Sequence, residues 1–261
     1  AASDVYKRQT NTESTGVRDM SVIGYAKMTA SYDSSTKTVT LYTAAPKVKI
    51  LTGKNMFKGM TALKSITGFD DVDTSEATDF TGLFQQCNSL TDYDFISNWD
   101  TSNVTNMNLA FCNIGFSSLA PLSKWKTSKV ADFSNMFSGM GKISDLSPIA
   151  NWNTSSATTM ANMFNQSPIC YHTFTSLDAI ADWDVSNVTD MSGMFYKNTK
   201  LSDISALTNW NTSNLTNIAV MFNDCTDLTD ASSLNAWNTS KITNKTNAFP
   251  SGCITPSWYT A

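Results

Sequence analysis

One phrase recurs down this chain: Trp183-Asp184-Val185-Ser186-Asn187-Val188-Thr189-Asp190-Met191-Ser192-Gly193-Met194-Phe195, with near-copies before and after it. Trp99, Trp125, Trp152, Trp183, Trp210 and Trp237 open six copies and Val72 a seventh, at steps of 27, 26, 27, 31, 27 and 27 residues. A phenylalanine stands twelve residues after every opener: Phe84, Phe111, Phe137, Phe164, Phe195, Phe222 and Phe249. A fixed period of this size specifies a stacked-repeat solenoid, in which each unit buries its apolar edge only against its neighbours. Residue types found in every unit are there for packing. A functional signal has to be sought where the units differ.

Within a unit the apolar slots advance by threes; in the fifth they are Val188, Met191, Met194-Phe195, Leu201, Ile204 and Leu207. Neither two-residue alternation nor a 3.6-residue stripe explains a sustained step of three. The expectation is short extended runs separated by bends. The Val-x-x-Met and Leu-x-x-Ile portions would be short strands, stacked on their copies about 4.8 Å away as parallel sheets. Ser75, Ser102, Ser128, Ser155, Ser186, Ser213 and Ser240 hold the third place after each opener, where a hydroxyl can cap a tight turn. Length variation falls after the phenylalanine, and the fourth unit carries an insertion around Cys170, Tyr171 and His172. That edge reads as a loop rim.

Three regions result. Residues 4–9 match the in-frame translation of a common sequencing-library transposon end, so residues 1–9 are set apart as a sequencing or assembly scar. Residues 10–46 hold a polar lead and a β-hairpin, with runs at 25–32 and 38–42 around a polar turn, expected to cap the first coil. Residues 47–261 form the repeat array, opening on a degenerate half-unit and closing on a strap of Cys253, Pro256, Trp258 and Tyr259.

The net charge is −4 and lysines and arginines are scattered singly, so nucleic acid and anionic membranes are poor partners. No run approaches the roughly 18 apolar residues of a spanning helix. The single histidine, His172, has no acidic partner or second ligand pair nearby in sequence, which leaves nucleophilic and metal chemistry without support. His172 and Tyr171 read instead as exposed residues of a loop able to make a contact. Cys87 and Cys225 fall in an inward slot and read as small buried hydrophobes. Cys87 with Cys112, and Cys225 with Cys253, occupy adjacent coils within bridging reach. The methionine and tryptophan columns read as core, the indole N–H groups needing acceptors. No cofactor, metal or enzymatic activity is expected, and the array reads as a monomer.

The phrase Trp-[Asp/Asn]-Thr-Ser-x-Val-Thr-[Asp/Asn]-Met-x-x-Met-Phe, followed by Cys87-Asn88-Ser89-Leu90 or Cys225-Thr226-Asp227-Leu228, resembles the BspA-like leucine-rich repeats of bacterial surface proteins and lipoproteins. The resemblance spans residues 47–250 and extends to the hairpin before them. It implies a mainly β, leucine-rich-repeat-like solenoid of about seven coils, extracellular or at the cell surface. It also implies adhesion or contact with a host or neighbouring-cell protein or glycan, and it transfers no catalytic residue. In that geometry two outward rows line the recognition face. Thr91, Ser117, Ser144, Thr175, Ser202 and Thr229 form one; Asp92, Ser118, Asp145, Ser176, Asp203 and Asp230 form the other. A binding module is the leading function, and Thr91, Asp92, Ser144, Asp145, Ser202, Asp203, Thr229 and Asp230 are its candidate contacts. The alternative is a structural spacer that projects another domain, its polar rows only solvated.

Overall fold

The computed structural model describes residues 49–66, 69, 72–115, 118–140, 143–166 and 172–260, together with the backbone of four strands near the N-terminus. Those strands are β1 (Ala2–Lys7), β2 (Arg18–Asp19), β3 (Met28–Asp33) and β4 (Thr38–Thr43). They form an antiparallel sheet in the order β1-β4-β3-β2. Strands β3 and β4 pair from Met28↔Thr43 to Asp33↔Thr38, as the hairpin pattern predicts. Ala2–Lys7, set outside the fold on sequence grounds, pairs along the other edge of β4.

The repeat region is built from turns, and here the strand expectation is corrected. Among the described residues, successive coils pair in parallel as isolated single-residue bridges, from Asp79↔Asn106 through Asp190↔Asn217 to Asn217↔Asn244. In six coils the stretch after the slots of Leu201 and Ile204 is a short 3-10 turn: Asp94–Ile96, Ala120–Leu122, Ser147–Ile149, Asp178–Ile180, Ser205–Asn209 and Ser232–Ala236. The step of three is the reason. An i→i+3 hydrogen bond brings residues three apart onto one side of the chain. In the fifth coil the bonds run Val188 N–H to Val185 O, Met194 to Met191, Asn198 to Phe195, Leu201 to Asn198, Leu207 to Ile204 and Trp210 to Leu207. The apolar residues stand at the ends of these turns, so a string of turns aims all of them inward.

Neighbouring coils are tied by a repeated set of bonds. The N–H groups eight, ten and twelve residues after an opener donate to the next coil; in the fifth these are Met191 to Asn217 O, Gly193 to Ala219 O and Phe195 to Met221 O. The middle residue always has a positive φ, between 51° and 61°: Asn55, Gly82, Leu109, Asn135, Asn162, Gly193, Val220 and Asn247. At Gly193 a Cβ would in addition press on Asn162 Oδ1, so a larger residue there would have to displace that side chain. Six residues after the openers, the hydroxyls of Thr105, Thr158, Thr189, Thr216 and Thr243 donate backwards to the preceding coil's carbonyl at 2.8–3.3 Å.

The phenylalanines form one continuous stack from Phe57 to Phe249, with centroid separations of 5.1–6.0 Å. Each opening tryptophan is buried, and its indole N–H finds a carbonyl of the preceding coil, as in Trp183 to Ile149 O at 3.2 Å. The strap continues both columns. Trp258 stacks on Trp237 at 6.4 Å and donates to Leu234 O, while Tyr259 meets Phe249 edge-on at 5.0 Å.

Candidate functional site

Most corners of the coils use one device, an Asp or Asn whose side-chain oxygen accepts the N–H two residues on. One corner follows the opener, where Asp73, Asp100, Asn153, Asp184, Asn211 and Asn238 accept from Ser75, Ser102, Ser155, Ser186, Ser213 and Ser240 at 2.9–3.2 Å. The serine read as a cap is thus the donor, and the acceptor is the residue two before it. A second corner lies seven residues on, as in Asp190 accepting from Ser192 at 2.8 Å.

The third corner carries the two rows singled out from the sequence. Thr91, Asp92, Ser144, Asp145, Ser202, Asp203, Thr229 and Asp230 are all exposed. The aspartates act locally. Asp92, Asp145, Asp203 and Asp230 accept from the N–H of Asp94, Ser147, Ser205 and Ser232 at 2.7–3.0 Å, starting the 3-10 turn. Ser118 Oγ does the same for Ala120 at 3.2 Å. The bonds from Ser147, Ser205 and Ser232 stabilise the charged carboxylates and hold Asp145, Asp203 and Asp230 below the ordinary aspartate value. The neighbouring hydroxyl row differs. Among the described residues, Thr91, Ser144, Thr175 and Thr229 find no side-chain bond, whereas the threonines six residues after the openers bond across the coils. Ser202 is the exception in that row, its Oγ donating to Thr175 O at 3.4 Å, so the site is four free hydroxyls beside carboxylates anchored at their turns.

His172 is elsewhere. Its exposure is 1%, not that of a loop surface. The ring lies 5.5 Å from that of Phe174, and Nδ1 accepts from Ile143 N–H at 3.4 Å. The insertion thus returns to the core through His172, where it meets a buried polar pair: Gln166 Nε2 donates to His172 O at 3.4 Å and to Asn198 Oδ1 at 2.9 Å. Asn198 in turn donates to Phe164 O at 2.8 Å. Sequence reasoning missed this cluster, although one signal was present: Asn198 fills the slot that holds Cys87 and Cys225 in other coils. Those thiols make the equivalent bond, to Phe57 O at 3.0 Å and Phe195 O at 3.1 Å. Tyr171 and Cys170 lie outside the described residues.

Cys87, Cys112, Cys225 and Cys253 are free thiols, so neither pair within bridging reach is joined. Cys87 and Cys225 are fully buried, and burial pushes both thiols up to about 12. Among the described residues no group of three His, Cys, Asp or Glu side chains is placed to hold a metal ion, and no helix is long and apolar enough to cross a membrane.

The repeat region matches a known family model. The family described as Mycoplasma protein of unknown function, DUF285, matches residues 52–176 and again 169–253. The chain belongs to that family. The two matched segments are tandem copies of the DUF285 unit, and the unit boundary falls in the fourth coil, where the insertion lies. No curated protein and no solved structure matches the chain.

Proposed function

We propose that this chain is a non-enzymatic binding module of an extracellular or cell-surface protein, a leucine-rich-repeat-like solenoid of the BspA type. It would contact a protein or glycan of a host or neighbouring cell through the third corner of its coils. One observation carries the reading: the hydroxyls of Thr91, Ser144, Thr175 and Thr229 face solvent with no bond to the other described residues, in a fold where the hydroxyls of Thr105, Thr158, Thr189, Thr216 and Thr243 tie coils together. Free hydroxyls beside carboxylates suit the hydroxyl groups of a glycan or the cations of a basic protein surface.

A spacer is the second reading, and the aspartates favour it, because each has a turn to start whether or not a ligand exists. The test separates the two. Asn starts the equivalent turns at Asn153, Asn211 and Asn238, so Asp145→Asn, Asp203→Asn and Asp230→Asn together remove three charges and keep the turns. A glycan-array and host-protein screen of parent and triple variant should find a ligand whose binding weakens and loses salt dependence in the variant. No ligand, or one indifferent to the change, leaves the spacer.

A further inference from the structure

The tripeptide Asn-x-Ser/Thr, the acceptor signal for N-linked sugar, recurs along the coils. Its copies differ in how the amide is held: Asn165 donates Nδ2 to Asn162 Oδ1 at 3.1 Å, while Asn211 and Asn244 accept at Oδ1 the N–H of Ser213 and Thr246 and no hydroxyl among the described residues. Asn103, Asn187 and Asn214 donate Nδ2 to the carbonyls of Ser75, Ser155 and Ser186 in the preceding coil, at 2.7, 2.8 and 2.8 Å. A substituent on those nitrogens would replace an inter-coil bond.

Asn153 and Asn238 are arranged the other way round. Asn153 Oδ1 accepts the N–H of Ser155 at 3.0 Å and its hydroxyl at 2.7 Å. Asn238 Oδ1 accepts the N–H of Ser240 at 3.1 Å and its hydroxyl at 2.8 Å. Both residues are exposed, and neither Nδ2 has a partner among the described residues. The nitrogen is also dispensable for the turn, since Asp73, Asp100 and Asp184 build the same corner without one.

We propose that Asn153 and Asn238 are N-glycan acceptor sites of the folded protein, taking a glycosyl group from a polyprenyl-pyrophosphate-linked sugar. Nδ2 gives one proton to a base of the transferase and forms the bond to the sugar's anomeric carbon. The bond from that carbon to the pyrophosphate oxygen breaks, and the polyprenyl pyrophosphate leaves with the electron pair. The serine hydroxyl bonded to Oδ1 stabilises the imidate form in which Nδ2 carries the attacking lone pair. This corner is distinct from the third one, so the inference does not rest on the ligand-binding reading.

The test incubates the folded protein with a single-subunit oligosaccharyltransferase and a lipid-linked oligosaccharide, then maps glycopeptides by mass, with denatured protein as reference. Added mass is expected at Asn153 and Asn238 of the folded protein and none at Asn103, Asn187 and Asn214, which become substrates once the protein is denatured. Asn153→Asp with Asn238→Asp should abolish the addition at those two positions of the folded protein and leave the thermal midpoint unmoved. Three results overturn the proposal: both sites blank in folded protein but filled in denatured protein, equal occupancy at the three locked positions, or unfolding of the Asp variant.

Discussion

Val220 has a φ of 51°, a region that a β-branched side chain enters only under strain. Asn55, Asn135, Asn162 and Asn247 fill the same place, and asparagine tolerates it by bonding locally. Val220→Asn should therefore raise stability by about 1 kcal/mol, read as a later urea midpoint at unchanged slope. The aspartates give a pH prediction of known sign. Their folded values lie below the unfolded one, so their stabilisation is present above about pH 4 and is lost as pH falls through the folded values. Thermal midpoints should hold between neutral pH and about 5 and drop below 4. The drop should be shallower in the Asp145→Asn, Asp203→Asn, Asp230→Asn variant. An equal drop would place the acid sensitivity in other carboxylates, such as Asp100 and Asp184, which are lowered by Ser102 and Ser186.

At the scale of one coil, the phenylalanine does the most packing. Phe195 has no exposed surface and lies between Phe164 at 5.7 Å and Phe222 at 5.5 Å. Phe195→Ala should cost about 3–5 kcal/mol in transfer and cavity terms. Thr229→Ala, on an exposed hydroxyl that ties no coils together, should stay within about ±0.5 kcal/mol. Similar denaturation midpoints for the two would contradict the register. The register was legible in the sequence because every coil makes the same packing demand, so Trp183 and Phe195 announce themselves by recurrence. Secondary structure was less so: a step of three fits both bent extended runs and strings of i→i+3 turns, and only the bond from Leu207 N–H to Ile204 O decides between them. The third-corner aspartates were visible as a column, yet what they do depends on the N–H two residues on, which carries no residue-type signal. His172 was misplaced because an inserted residue has no copy in other coils by which to infer its direction.

For the whole molecule, stability is a sum over coils and their interfaces, so an end should loosen without the middle. The strap is what shields the C-terminal end. Trp258 and Tyr259 supply an indole and a ring where a further coil would supply its own, and Lys245 Nζ fastens them through Trp258 O at 3.2 Å and Thr260 Oγ1 at 3.1 Å. Trp258→Ala should cost about 1–2 kcal/mol, less than a fully buried tryptophan, because Trp258 is half-buried. Amide exchange should accelerate in residues 237–249 and stay unchanged before residue 183. Uniform acceleration would mean that the array unfolds as one unit.

The nearly constant coil length has a mechanical consequence. If the two ends are drawn apart until coils peel away singly, each 27-residue coil can release at most about 90–97 Å of chain. The resulting force trace would be a sawtooth of nearly even teeth. The coil opened by Trp152, at 31 residues, would give one tooth longer by about 13–14 Å. That tooth is a built-in ruler mark, by which the order of yielding along the molecule could be read from a single pull.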